Sequence, residues 1–309
     1  MNNAPILAVI DPTAEQQPAL QRAARIARET GSALELLICD FDSDIDAGRT
    51  ALVWIEEDEP AKDHLIGIYR KKLQRLAEPL RKTGIDASTK VLWDFPLQDA
   101  IVREIASGRP WIVFKDTHHH NLLRRTIFSN TDWRLIRKCP VPLYLAKPRE
   151  LPPHPVVYAA VDPLHEHDKP AELDHAIMDL GQRFAGYLSG ELHAVHTHDL
   201  PELLATTPVG ETVRKMERRQ HRDEFNRFTA AYSLPAGRAH FVEGLPEVKL
   251  PELTHAEHAG LIVIGAVSRR GLDKLIIGST AERALDRLGC DLLVVKPPGH
   301  AEVREQLAA

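Results

Sequence analysis

The sequence predicts an α/β protein made of two tandem doubly wound domains, each a five-stranded parallel sheet flanked by helices. Three observations carry this. The chain repeats itself at an offset close to 150 residues. Within each copy, short apolar runs alternate with helical stretches, as in right-handed crossovers between parallel strands. The runs lack polar alternation, so their strands are covered on both faces.

The repeat is legible in four places. Pro5-Ile-Leu-Ala-Val-Ile-Asp11-Pro12 is echoed by Pro155-Val-Val-Tyr-Ala-Ala-Val-Asp162-Pro163, and Trp93-Asp-Phe-Pro96 by Glu243-Gly-Leu-Pro246. Trp111-Ile-Val-Phe114 is echoed by Leu261-Ile-Val-Ile264, and Leu143-Tyr-Leu-Ala-Lys147-Pro148 by Leu292-Leu-Val-Val-Lys296-Pro297. A duplicated module is the simplest reading.

In the first copy the pattern predicts strands at 6–10, 34–39, 86–92, 111–115 and 142–146. Helices fall between them at 15–30, 62–82, 97–107 and 130–138. In the second copy strands are predicted at 156–161, 191–197, 237–242, 261–265 and 291–296. Their helices lie at 170–188, 209–232, 247–259 and 280–288. The domains expected are 1–148 and 156–309, joined by residues 149–155. The stretch Lys147-Pro-Arg-Glu-Leu-Pro-Pro-His-Pro155 holds four prolines, which makes a stiff, extended join.

Composition bounds the function. With 309 residues the chain has room for two domains. Lys+Arg is 39 and Asp+Glu is 44, a net charge of −5. A mildly acidic chain is a poor nucleic-acid binder, because that affinity comes from neutralising phosphates. Three scattered cysteines, Cys39, Cys139 and Cys290, form no disulfide framework and fit a reducing cytosol. Leu261–Val267 is among the longest apolar runs and falls far short of the roughly 20 residues of a membrane span. Asp11 interrupts the first apolar run and no basic residue precedes it, so no signal peptide is expected. The expectation is a cytoplasmic protein with no membrane or nucleic-acid partner.

Doubly wound sheets bind ligands at the carboxyl ends of their strands, where the strand order reverses. In the second copy the fourth strand ends in Gly265-Ala-Val-Ser268-Arg-Arg-Gly271, and Gly278-Ser279-Thr280-Ala-Glu282 then opens a helix. Ser279 and Glu282 have capping-box spacing. A helix start offers free N–H groups and the positive end of a dipole to an anion. Glycine at 265 and 278 would let the backbone approach a phosphate. Asp162 could accept hydrogen bonds from a ribose. The same features also occur in α/β loops that hold no ligand.

Those residues carry a family resemblance. Gly265, two residues, Ser268, nine residues and Gly278-Ser279 resemble the glycine motif of universal stress proteins, with serine in place of the second glycine. Val161-Asp-Pro163 and the closing Cys290-Asp-Leu-Leu-Val-Val-Lys-Pro297 resemble the same family, and the first copy does so in degenerate form. Nearly the whole chain is covered, and the tandem arrangement resembles the E-type members. The resemblance implies a flavodoxin-like, Rossmann-like domain in each half, similar to adenine nucleotide alpha hydrolases, with strand order 3-2-1-4-5. It implies that the halves pair with each other within the chain; a further homodimer stays open. It also implies a non-enzymatic stress-response protein that binds ATP or a related nucleotide. Asp162, Gly265, Ser268, Gly278, Ser279 and Thr280 would be the binding residues. The first copy loses the motif: Lys115 and His118 stand opposite Gly265 and Ser268, and Ser129-Asn130 opposite Gly278-Ser279. A nucleotide site is therefore expected in the second half alone.

Sixteen histidines raise the question of a metal. His196 and His198, two apart on a strand, share a face and approach Asp162. No spacing matches a zinc signature, and loop or core histidines are the plainer reading, so no metal is expected. His118-His119-His120 reads as a solvated loop. The run Arg214–Arg222, interleaved with acids, reads as a solvated helix face, with Phe225, Phe228 and Tyr232 as its core stripe. Residues 40–59, rich in carboxylates, read as a surface loop or a lid.

No GxSxG elbow, P-loop or HExxH is present, and no general base is marked. ATP pyrophosphatases and nucleotidyl transferases on related folds carry a Ser-Gly-Gly loop after the first strand. Here that place reads Asp162-Pro-Leu-His165. The alternatives to a nucleotide-binding protein are a scaffold with vestigial sites, or a slow ATP-hydrolysing or metal-binding protein.

Overall fold

A computed structural model describes residues 4–47, 60–117, 119–120, 125–126, 129–164, 170–199, 208–256, 259–266 and 285–297. The chain divides into two compact units. The first is Met1–His118 with Phe128–Arg149, and the second is Glu150–Ala309 with His119–Ile127.

The first unit runs β1 (Ile6–Val9), α1 (Pro18–Thr30), β2 (Leu34–Asp40), α2 (Ser43–Asp46), α3 (Ala61–Lys82), β3 (Ala87–Trp93), α4 (Leu97–Gly108) and β4 (Ile112–Asp116). The two-residue strands β5 (His119–His120) and β6 (Arg125–Thr126), which follow β4 in the chain but belong to the second unit, pair antiparallel. Then α5 (Asn130–Lys138) and β7 (Leu143–Ala146) complete the unit. Its sheet order is β3-β2-β1-β4-β7, every pairing parallel. Counted within the unit this is 3-2-1-4-5, so the order reverses between β1 and β4.

The second unit runs β8 (Val156–Ala160), α6 (Ala171–Tyr187), β9 (Glu191–His198), α7 (Pro208–Ala230), β10 (Ala239–Glu243), α8 (Pro246–Ala256), β11 (Ala259–Gly265) and β12 (Asp291–Val295). Its order is β10-β9-β8-β11-β12, again parallel and again 3-2-1-4-5. The flavodoxin-like arrangement is thus present twice.

Local chemistry explains the elements. β1, β4, β7 and β12 are buried at every position; β1 and β7 are wholly apolar, while β4 also buries Lys115 and Asp116 and β12 buries Asp291. In α1, Pro18 occupies a first-turn position where its missing N–H costs nothing, and Gly31 ends the helix in the left-handed region at φ 68°. Ala19, Ala23, Ile26 and Ala27 form its buried stripe. In α6 the stripe is Leu173, Ile177, Leu180 and Phe184.

Three places differ from expectation, the first being His119-His120, expected as loop, which forms β5 against β6. A short helix, α2, stands in the acidic segment, because Asp42 accepts the backbone N–H groups of Asp44 and Ile45 and caps it. The core stripe of α7 is His221, Phe225 and Thr229, all buried, whereas Phe228 and Tyr232 are half-buried against His175 of α6. His221 is the member of that stripe that an apolar pattern does not mark. The charged face of α7 is laced with ion pairs: Lys215 with Glu211, Arg219 with Asp223, and Arg214 and Arg218 with Glu243 of β10.

The proline-rich stretch ends packed into the second unit. Pro155 is buried, and its carbonyl accepts the Glu191 N–H at 3.0 Å. A Cβ at Gly190 or at Gly260 would collide with Pro155. Among the described residues, no helix is long and apolar enough to cross a membrane.

Candidate functional site

In the second unit the reversal of strand order lies between β8 and β11. Two predicted site residues stand at the carboxyl ends of these strands. Asp162 follows β8, is partly exposed, and donates its backbone N–H to Asp174 Oδ1 on α6 at 3.1 Å. Gly265 is the last residue of β11, paired with Val295 of β12. Ser268, Gly278, Ser279 and Thr280 lie outside the described residues.

Gly265 has a packing reason to be glycine. A Cβ placed there would lie 2.6 Å from Leu173 Cδ2 and 3.0 Å from Ile177 Cδ1. The missing side chain makes room for α6, so the close approach at this glycine is between helix and strand.

The histidines of β9 part to the two faces of the sheet. His196 and His198 are buried on one face with His221 of α7. His196 Nδ1 lies 3.0 Å from the Val161 carbonyl oxygen, and its Nε2 lies 3.0 Å from His221 Nδ1. The His198 and His221 rings are 3.8 Å apart. On the other face His193 stacks on His240, with Nδ1 and Nε2 2.8 Å apart. Burial, then the neighbouring His240 and Arg238, lowers the His193 pKa. Among the described residues, no three His, Cys, Asp or Glu side chains are arranged to hold a metal. His118, His165 and His167 fall outside them.

The first unit holds a feature that no motif in its sequence marks. A cavity of about 220 Å³ opens at the carboxyl ends of β1, β2 and β4. Val9, Ile10, Leu97 and Ile101 form an apolar wall, and Asp11, Asp40 and Asp116 bring carboxylates. Lys115, opposite Gly265 in the repeat, is buried and forms an ion pair with Asp132 Oδ1 at 2.7 Å. Its Nζ also donates to the Asp116 carbonyl at 2.9 Å. Asp132 in turn caps α5: its Oδ2 accepts the Ser129 N–H at 2.7 Å, while Ser129 Oγ accepts the Asp132 N–H at 3.1 Å.

Asp116 is 8% exposed. Its Oδ1 accepts the Ala19 N–H at 2.7 Å, serving as a distant cap for α1, whose own N-cap residue Gln17 makes no side-chain cap bond. Burial raises its pKa to about 6, against the opposing effects of that hydrogen bond, Lys115 and Arg22. Cys39, also in the wall, has its pKa pushed up to about 12, chiefly by burial and then by Asp94 and Asp40. It is a packing residue rather than a nucleophile. The signal available in the sequence was the pair Lys115-Asp116, two charges closing an otherwise apolar strand.

The architecture agrees with relationships found by comparison. The universal stress protein family matches residues 2–147 and 157–296. "Universal stress protein E" of Photorhabdus laumondii is 30% identical over 300 residues, covering 95% of each chain. The Escherichia coli protein of the same name is 28% identical over 303 residues, covering 94% of this chain and 93% of its own. A crystal structure of a Pseudomonas aeruginosa chain superposes with a TM-score of 0.79 at 28% identity, over 99% of this chain and 98% of the other. Two copies of one domain, each with the same strand order and each matched over its length, make this chain a tandem-domain member of the universal stress protein family.

Proposed function

We propose that the protein is a non-enzymatic, cytoplasmic stress-response protein that binds a small nucleotide-like ligand of the ATP class through its second half. The observation that carries the reading is a contrast between the halves at one position. Where the first unit has Lys115, tied to Asp132, the second has Gly265, which itself carries no side-chain charge. Gly265, Ser268, Gly278, Ser279 and Thr280 would then receive phosphates at a helix start, and Asp162 would accept from the ribose. The reading includes a proline-rich linker at residues 149–155, domains of 1–148 and 156–309, and association of the halves within one chain. Neither nucleic acid nor membrane is a partner. Ser268 in place of a glycine favours the second reading, a scaffold with vestigial sites.

A thermal-shift series with ATP, ADP, AMP and no ligand tests this. A ligand that binds only the folded state adds about 2.7 kcal/mol at a hundredfold excess over Kd. The expected result is a shift with ATP that Gly278→Val abolishes. A flat series supports the scaffold. Steady phosphate release at an ordinary enzymatic rate would make the protein an enzyme.

A further inference from the structure

His196 and His198 of β9 and His221 of α7 are buried together, 2%, 4% and 5% exposed. One backbone oxygen fixes the hydrogens of two of them. A carbonyl only accepts, so His196 Nδ1, 3.0 Å from the Val161 oxygen, carries the hydrogen. Nε2 of the same neutral ring is then an acceptor, and His221 Nδ1 at 3.0 Å is its donor. A hydrogen-bonded relay thus ties α7 through β9 to the end of β8. The His196 and His221 rings stack at 17° rather than converging on a point, so this arrangement takes protons rather than a metal ion. Phe225 of α7 and Phe241 of β10 enclose it, each ring centroid 5.8 Å from that of His196.

The closed relay has room for one extra proton. On His221 Nε2 that proton leaves the bond to His196 intact. A proton on His196 Nε2 would set a donor against the His221 N–H, and the bond would be lost. A second charge on His198 would stand beside the first, because the His198 and His221 ring centroids are 3.8 Å apart in a buried place.

The neighbouring charges do not change that count. Beyond the Val161 carbonyl are Asp162 and, on α6, buried Asp174, whose Oδ1 accepts the Asp162 N–H. Glu243 of β10 is paired in register with His198 and held by Arg214 and Arg218 of α7, while Arg222 of α7 lies over the Phe241 ring. The carboxylates favour a first proton and the arginines oppose it. Neither can reverse the His196–His221 bond, whose direction the Val161 oxygen sets. His193 and His240, with Glu191 and Arg238, lie on the other face of β9 and β10.

We propose that α7 is an acid-operated latch, closed on β9 by the His196–His221 bond and released when the three histidines take up two more protons than the closed relay can hold. Release uncovers Phe225 and Phe241. The latch is independent of any nucleotide bound by this half. A histidine freed into water titrates near about 6.5, so each proton taken up favours the open form about tenfold between pH 7.5 and 5.5, and two favour it about a hundredfold.

The test is hydrogen–deuterium exchange of the full chain at pH 7.5 and 5.5, corrected for the intrinsic rates of free amides. Opening of α7 should rise about a hundredfold at pH 5.5, while α4, which holds no histidine, and β11 of the same unit stay as protected as before. His221→Phe should cut the rise to about tenfold, with His198→Phe giving the same result should the first fail to fold. His175 of α6, bonded to the Tyr232 hydroxyl beyond the end of α7, is the control, and His175→Phe should leave the rise unchanged. A rise below about threefold in the unmodified protein, a rise shared equally by β11, an undiminished rise in the His221 or His198 variant, or its loss in the His175 variant would each overturn the proposal.

Discussion

Lys115 and Asp132 meet in a buried ion pair, Nζ to Oδ1 at 2.7 Å, with side chains 9% and 0% exposed. The pair joins the end of β4 to the first turn of α5. It fills the strand end that the second unit closes with Gly265.

Breaking that pair from one side should be costly. Lys115→Met leaves the Asp132 carboxylate buried without its cation, and about 3 kcal/mol of stability should be lost. Adding Asp132→Asn removes the stranded charge while keeping an acceptor for the Ser129 N–H. The double variant should therefore be more stable than the single. Urea unfolding monitored by circular dichroism reads both, and a double variant weaker than the single would contradict the account.

Gly265 should matter to stability before it matters to any ligand. Gly265→Ala drives a methyl toward Leu173 and Ile177 and should cost about 1–3 kcal/mol without nucleotide present. Combined with Leu173→Ala, the loss should fall short of the sum of the two single losses, because the methyl takes the vacated space. Strict additivity would show that α6 and β11 do not compete for that volume.

Gly190 should be less forgiving. A Cβ there meets the backbone carbonyl of Pro155, which is also fixed by its bond from the Glu191 N–H. A flexible leucine end can yield and a backbone carbonyl cannot. Gly190→Ala should destabilise more than Gly265→Ala in the same thermal or urea assay, and the reverse order would count against the packing of Pro155.

Asp116 should leave a mark on the pH dependence of stability. Its folded pKa, about 6, lies above the ordinary value of about 4. Between these values the folded state holds a proton that the unfolded state has released, so this group makes stability fall as pH rises from about 4 to about 6, with no further change above. Asp116→Asn removes that slope. Unfolding curves at pH 4, 5, 6 and 7 should show the variant gaining on the unmodified protein until pH 6 and then running parallel. Curves parallel throughout would show that Asp116 titrates normally.

The sequence by itself determined the repeat, the class and nearly every element, because two apolar periodicities decide what can be buried: an unbroken run for a covered strand, and a stripe every three or four residues for a helix. It missed α2, whose cap is the single carboxylate Asp42 among many. It also displaced the stripe of α7, since His221 is a residue that composition counts as polar. Of the nucleotide motif, spacing alone gave Gly265 a phosphate; the neighbouring side chains of Leu173 and Ile177 reveal a packing role. Only tertiary structure brought Asp11, Asp40 and Asp116 around one cavity and set Lys115 against Asp132. These residues are far apart along the chain, and proximity across strands is a property of register and sheet order that no local pattern encodes. Which charges are paired and which are left facing a cavity is decided there, by where the backbone leaves room.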